Sequence, residues 1–388
     1  MIVLIIVLIE IMAAGGIYVL SMNDETHSLD VSVIARVNTD GSGIYIQNGY
    51  TLSDFFELDS EGNIIFYDDG MPECIASAWA GKTFATPGVT SIQHIQLLNI
   101  VESMGFSFEL VGSSGDPSRT VYYVPNVTTV NLAYAALESS NIIGGIVWEP
   151  VYHAIADSSS FTGLVTTNVL FPGHTCCVIA GRTAYLNDNT ATVLKFLAAY
   201  VEGVNWVNNA IQNKGTDYDT LVQIGMSSGQ TKTVVEEALS TVVYKFADSS
   251  SGSLTTLKSD LVTLTDSLLA SPGSGLIHTM EDLGFSNTTE FVNALVDDSY
   301  LRAALVMNLP DIGDIDTISI GAIAGDIHQI ALQVCVAEGF FKDYGINVTI
   351  NTFANGGAVA ADLFAATPSC DISFLGAPPL VIKTINNG

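Results

Sequence analysis

From residue 31 onward, short β-branched runs alternate with stretches whose apolar residues recur at helical spacing. This rhythm confines the chain to an α/β fold, expected with mostly parallel strands and flanking helices. VSVIARV (31–37) reads as a strand, KTFATPG (82–88) as a strand ending in a turn, and SIQHIQLLNIVESMG (91–105) as a helix with Ile92, Ile95, Leu98 and Val101 on one face. TVYYVP, NLAYAALESS and GIVWEP repeat strand, helix and strand; CCVIAGR (176–182) is a buried strand and 191–207 a helix. Residues 231–308 read as mostly helical, with one stripe of Val235, Leu239, Val242 and Phe246 and a second of Leu254, Leu257, Leu261, Leu264 and Leu268. Both stripes are packed faces rather than ligand boxes. After the Pro/Gly/Asp-rich connector NLPDIGDID (308–316), the α/β rhythm starts again. Strands are expected at 317–323, 347–353 and 371–376, and helices at 326–341 and 358–366. A sheet that begins so late calls for an explanation.

At 388 residues the chain predicts two domains or two lobes of one fold, and 48% apolar residues supply a sizeable core. Twelve Lys and Arg against forty Asp and Glu leave a net charge of −28. That excludes nucleic-acid binding through a basic face, and a polybasic membrane patch with it. Residues 1–21 are apolar except for Glu10 and Ser21 and, as a helix, would reach about 31 Å. The segment is read as a signal anchor, with a cleaved signal peptide or a buried core helix as alternatives. Sequons at Asn126, Asn287 and Asn347 are compatible with an outside location. The five cysteines include an adjacent pair, Cys176 and Cys177, but no C-x-x-C, so neither a disulfide scaffold nor a structural zinc site is expected.

The last seventy residues carry a resemblance. GDIHQ (325–329), AEGFFKDYGINV (337–348), ANGG (354–357) and DISFLGAPP (371–379) together are similar to the amino-terminal segment of nitrate/sulfonate/taurine-type solute-binding proteins of ABC importers, whose relatives include thiamine-pyrimidine binders. VIARVNTDGSG, KTFATPGVTSIQH, GGIVWEP and FPGHTCCVIAG, over about 31–308, resemble the rest of the same family in its usual order. The two blocks are exchanged relative to that order. Either the chain is a circular permutant whose tail supplies the first strands of lobe one, or the tail opens a second, tandem copy. The resemblance implies a bilobal periplasmic-binding-protein-like fold of two mostly parallel sheets flanked by helices. Its expected parts are a signal anchor or signal peptide (1–22), part of lobe one and a crossover (27–79), and lobe two (80–175). A second crossover and lobe-one helices (176–308), a linker (309–316) and the displaced lobe-one strands (317–388) follow. A tail that completed a neighbour instead would give a swapped oligomer rather than a monomer.

In such a fold a small-molecule ligand lies between the lobes, against strand ends and helix N-termini, which bind anions without Lys or Arg. TPGVTS (86–91), GDIHQ and GAPP (376–379) have the form of strand-to-helix turns suited to this. Carried over by motif, Asp326, His328 and Gln329, then Asn355, Gly356, Gly376 and Ala377, then Asn38 and Ser42 would line the lobe-one side. Ser91, Gln93, His94, Trp148, Glu149 and His174 would come from lobe two and the crossover. Lobe closure would hinge near Asn38–Ile46 and Val178–Tyr185 and present the closed form to an ABC permease. The expected solute is a sulfonate, nitrate or similar small anion, with a heterocycle stacked on Trp148 and paired with Glu149 as the alternative. No G-x-S-x-G and no P-loop occurs, and no reaction, cofactor or resident metal is required. The His, Glu and Cys residues at 94, 149, 174, 176 and 328 could gather as a metal or catalytic site if the lobes close, which leaves a thiamine-pyrimidine binder or synthesis-type enzyme as an alternative that the resemblance implies. A surface sensor that has kept the fold without transport is a further reading.

Overall fold

The computed structural model describes residues 29–271, 273–307 and 315–387. The N-terminal apolar segment and most of the connector at 308–316 lie outside the described residues. Among the described residues no helix is long and apolar enough to cross a membrane.

Among the described residues, twelve strands form two sheets of six. They are β1 (Val31–Asp40), β2 (Ser42–Gln47), β3 (Thr83–Ala85), β4 (Ser107–Leu110), β5 (Thr120–Val124), β6 (Gly144–Trp148), β7 (Phe161–Thr166), β8 (Thr175–Arg182), β9 (Val242–Tyr244), β10 (Asp316–Ile323), β11 (Ile346–Phe353) and β12 (Ile372–Gly376). The first sheet has the order β11-β10-β12-β8-β1-β9 and the second β4-β5-β3-β6-β2-β7. Both are mixed: three of the five pairings in the second sheet are parallel, but only two of the five in the first. Pairs joined through a helix, such as β10 with β11 and β3 with β5, are parallel. Those involving β1, β2 or β8 are antiparallel. The physical reason lies in the connections. β1 passes straight into β2 through Gly41, and β7 returns to β8 through residues 167–174, so neither strand enters its sheet by the helical crossover that parallel pairing needs.

These are the two passages between the sheets. The first falls inside the expected hinge Asn38–Ile46, at Gly41, whose φ of +89° suits only glycine. The second does not fall at Val178–Tyr185: that stretch is β8 and its exit helix, held in the first sheet on both sides, and the chain crosses earlier.

The strands β10, β11 and β12 belong to the first sheet. Gly321 and Ile320 of β10 pair with β12, and β12 pairs antiparallel with β8 from Ile372 opposite Gly181 to Gly376 opposite Cys177. The helix Thr190–Asn213 lies over this sheet and packs Tyr200 and Phe196 edge-on against Phe374 of β12, at ring separations of 5.2 and 6.1 Å. All three rings are fully buried. Burying side chains of this size stabilises by about 1.5–3 kcal/mol each, so the tail is part of the main core. The second sheet has its own core, in which Trp79 stacks on Phe84 and meets Phe55 and Phe56 edge-on.

The leucine stripe folds as read. Leu254, Leu257, Leu261 and Leu268 are buried, in or beside the helix Thr255–Ala270. The Val235 stripe does not stay helical. The helix Lys232–Thr241 ends where Val242 takes an extended conformation, and β9 runs along the free edge of β1.

Candidate functional site

A cavity of about 230 Å³ opens between the two sheets. Its walls follow from three strand-to-helix turns. After β3, Thr86-Pro87-Gly88 turns into the helix Ile92–Ser103. Ser91 caps that helix by accepting the His94 N–H at 3.1 Å, and its hydroxyl donates to the Gly88 carbonyl at 2.8 Å. After β11, Asn355 caps the helix Gly356–Leu363 by accepting the Ala358 N–H at 2.9 Å. After β12, Gly376 leads into Ala377–Asn387, where Pro378 and Pro379 fill first-turn positions whose N–H groups would have no intrahelical partner. First-turn amides left over by the caps, at Ile92, Gln93, Gly356 and Gly357, together with the positive ends of three helix dipoles, face one space. The glycines sit in close quarters. A Cβ on Gly356 would stand 3.1 Å from Pro379 and 3.2 Å from the Gly376 nitrogen, and one on Gly357 would meet the Thr90 hydroxyl of the opposite wall at 3.4 Å.

The floor is built differently. After β10, Gly325 (φ +68°) and Asp326 start a short 3-10 turn. Asp326 Oδ1 accepts the His328 N–H at 3.0 Å and lies 2.7 Å from its Nδ1, while His328 Nε2 contacts the Gly41 carbonyl oxygen at 2.8 Å. A Cβ on Gly41 would stand 2.3 Å from that Nε2, so the ring and the passage between the sheets fit only with glycine there. Burial alone would lower the His328 pKa, but the Asp326 carboxylate, Cys176 and the Gly41 carbonyl outweigh it and raise it to about 10. Beside the ring lie Cys176 and Cys177, both buried, with sulfurs 3.7 Å apart. The Cys177 thiol, and His328 beyond it, bring Cys176 down to about 7 against the effect of burial, while Cys177 is raised.

Eight of the residues singled out by motif line this cavity: Ser91, Gln93 and Trp148 on one side, and Asp326, His328, Asn355, Gly356 and Gly376 on the other. Ser42 stands one contact behind, accepting the Gln93 side-chain amide at 2.9 Å. The remainder are occupied elsewhere. His94 has its Nδ1 3.1 Å from the Thr86 hydroxyl and packs against Phe108 and Tyr123; burial lowers its pKa to about 4. Glu149 is fully buried, 2.7 Å from His153 Nδ1 and accepting the Thr241 hydroxyl at 2.9 Å, so it offers no carboxylate to a ligand stacked on Trp148. Asn38 donates to the Asp40 carbonyl, and Gln329 ties β10 to β12 by accepting from Ile323 N and donating to the Phe374 carbonyl. Ala377 is buried as the first residue of its helix. His174 donates from Nδ1 to the Phe171 carbonyl at 2.8 Å and lines a second cavity, of about 300 Å³, with Gln96 and Asp260.

The motif reading did not place Thr90, Asn126, Gly357, Pro379, Cys176 or Cys177 on the wall. Thr90, Gly357 and Pro379 sit inside the very turns it quoted, so turn chemistry was the available signal. Asn126, with φ +65°, has no such mark. Among the described residues that line the cavity there is no Lys or Arg; its charged groups are Asp326 and His328.

No family model matches the sequence, and no curated protein does. Solved structures similar to this chain include the following three. The periplasmic nitrate-binding protein NrtA from Synechocystis PCC 6803 is 14% identical, with a TM-score of 0.48 over 73% of this chain and 69% of its own. The zinc-bound ligand-binding component of an ABC-type import system from Staphylococcus aureus is 15% identical, with a TM-score of 0.41 over 71% and 75%. The alkanesulfonate-binding protein SsuA from Xanthomonas axonopodis pv. citri, bound to MOPS, is 15% identical, with a TM-score of 0.40 over 63% and 71%. Likeness of this degree carries nothing about the ligand, which has to be argued from the cavity.

Proposed function

We propose that this chain is an extracytoplasmic solute-binding protein that captures a small anion, such as a sulfonate or nitrate, between its two sheets and delivers it to an ABC permease. The observation that carries this reading is the convergence of three helix N-termini on one cavity whose walls hold no Lys or Arg. Backbone amides and helix dipoles recognise an oxoanion there, and His328 adds a positive ring on the floor. The overall charge of −28 opposes this little, because beyond about 8 Å it is screened at physiological salt. A heterocycle stacked on Trp148 fits less well, since the carboxylate expected to pair with it is turned into the Thr241–His153 network. Binding and release are hinge movements about Gly41 and residues 167–174, and no step in them is a reaction.

We further read the order of segments as a permuted version of the family's order, with the tail completing the first sheet in the same chain. Its support is the pairing of β12 with β8 and the burial of Phe374 under the helix Thr190–Asn213. The monomer is then the working form, anchored to or secreted from the outer face of the cell membrane.

The test is a thermal melt with and without sulfonates, nitrate, pyrimidines and small cations. A ligand at 100 times its Kd adds about 2.7 kcal/mol. A shift given by one class of anion and by no heterocycle is the expected result. A shift given by pyrimidines alone would replace the anion reading, and a melt that nothing moves would favour a sensor or binding module of another kind.

A further inference from the structure

The two cysteines face the cavity because the sheet is irregular at that point. Along β1, Asn38 pairs with Cys177 but Thr39 pairs with Thr175, so Cys176 has no partner and bulges from β8. Successive side chains of a regular strand point to opposite faces; a bulge re-aims one of them, and such bulges gather beside functional sites. The result is a pair of thiols 3.7 Å apart on one side of the strand. Two thiolates each about 2.3 Å from a tetrahedral zinc ion stand about 3.8 Å apart. The spacing therefore already matches that of a bound ion. Cys176 Sγ, Cys177 Sγ and one His328 ring nitrogen lie within 4.8 Å of one another. A tetrahedral sulfur–nitrogen edge is about 3.5 Å, so a ring nitrogen at the far limit of that range closes in by about 1.3 Å.

We propose that Cys176, Cys177 and His328 form a site for one thiolate-preferring divalent cation of the zinc type, with its fourth position open to the cavity. The ring has the outer-shell partners such a ligand needs. If Nδ1 leaves Asp326 for the ion, Nε2 still donates to the Gly41 carbonyl, the kind of bond that fixes the tautomer of a metal-bound histidine. Asp326 is then free to accept from a water on the ion. Two thiolates balance the charge of the cation, and three protein ligands with one open position are the arrangement of a site that binds a further group rather than a purely structural one. The proposal does not depend on the solute-binding reading; with the ion in place His328 is a neutral ligand and no longer supplies the positive ring.

The experiment is titration of the reduced full chain with cobalt(II) chloride under anaerobic conditions, followed by zinc(II) chloride. The expected result is one equivalent of tetrahedral cobalt with thiolate-to-metal charge-transfer bands, displaced by zinc. Cys177→Ser should weaken binding at least tenfold and lose about half of the charge-transfer intensity. Cys74→Ser, whose thiol is remote from the cavity, should bind like the parent. Should Cys177→Ser not fold, as judged by far-UV circular dichroism, Cys176→Ser gives the same reading. Octahedral cobalt, or bands of undiminished intensity in both serine variants, would overturn the proposal. Melting the parent with the anion panel, without metal, tests the solute-binding reading separately: cobalt bands in a parent that no anion shifts support the metal site alone. Absence of bands in the parent overturns it whatever the anions do.

Discussion

Lowering the pH from 7 to 5 should cost this protein about 2 kcal/mol through His94 alone. The ring is 2% exposed and wedged between Phe108 and Tyr123, and burial lowers its pKa from 6.5 to about 4. Between those two values the unfolded chain binds a proton that the folded chain refuses, so stability rises with pH across the window. The contribution is therefore fully present above about pH 6.5, falls as the pH drops towards 4, and loses nothing further below that. A shift of about 2.5 units at 1.36 kcal/mol each gives a ceiling of roughly 3 kcal/mol, of which about 2 is lost by pH 5. His153 acts in the opposite sense: its pKa is raised, burial notwithstanding, by Glu149, so its contribution is present at low pH and fades as the pH rises through its folded value. The assay is consequently a difference. Urea unfolding of the parent and of His94→Gln, each at pH 5 and pH 7, cancels every group but this one. The gap between the two proteins should change by about 2 kcal/mol, the parent losing the more on acidification. A gap that stays within about 0.5 kcal/mol would refute the placement of an uncharged ring at this position.

Other outcomes follow from the same structure. Arg36 is fully buried and bonded to Asp248 at 2.6 Å and Asp260 at 2.9 Å, so Arg36→Met strands two carboxylates and should destabilise by about 3–5 kcal/mol in urea; a loss below 1 kcal/mol would show that the network is dispensable. Trp148 is half-buried in the cavity wall, and Trp148→Ala should weaken ligand binding about tenfold or more by calorimetry while leaving the melt of the free protein within a few degrees. Unchanged affinity would remove it from the site. Deleting 316–387 strips β10, β11 and β12 from the first sheet and uncovers Phe196 and Tyr200. No cooperative unfolding transition should remain, and a well-folded, cooperative product would return the tail to the tandem-copy reading.

Most strands were legible in the sequence: β1, β3, β5, β6, β8, β10, β11 and β12 lie within a few residues of the segments read for them. Those that were missed carry mixed signals. β2 opens with Ser-Gly and reads as the end of a loop, β7 is interrupted by Gly163, and Val-Val-Tyr of β9 continues the period of the helix before it. The helix expected over 326–341 is broken in two at Gly339, φ +87°, a position where the sequence offers only a glycine among helix formers. Which pairs would run antiparallel was not legible, because direction is a property of the connections and not of any strand's composition. In the cavity, the three turns were legible because Ser91, Asn355 and the Ala-Pro-Pro start have local capping chemistry. What could not be read was which neighbour each polar side chain would find. Glu149, His94 and His174 meet partners fixed by tertiary packing, and the joint orientation of Cys176 and Cys177 depends on a one-residue offset against a strand nearly 140 positions earlier.

β8 has a consequence for the order in which the chain acquires its structure. One of its edges is claimed by β1, already made when β8 emerges, and the other by β12, which is not synthesised until about 190 residues later. The second sheet needs nothing beyond Thr166 and can close early. The first must wait, with an apolar strand paired on one edge only, for β12 to leave the ribosome. Such an edge invites pairing with a neighbouring chain. In a nascent protein of this design, the interval between residues 182 and 372 is the period of greatest exposure to aggregation, and the time at which a chaperone has most to protect.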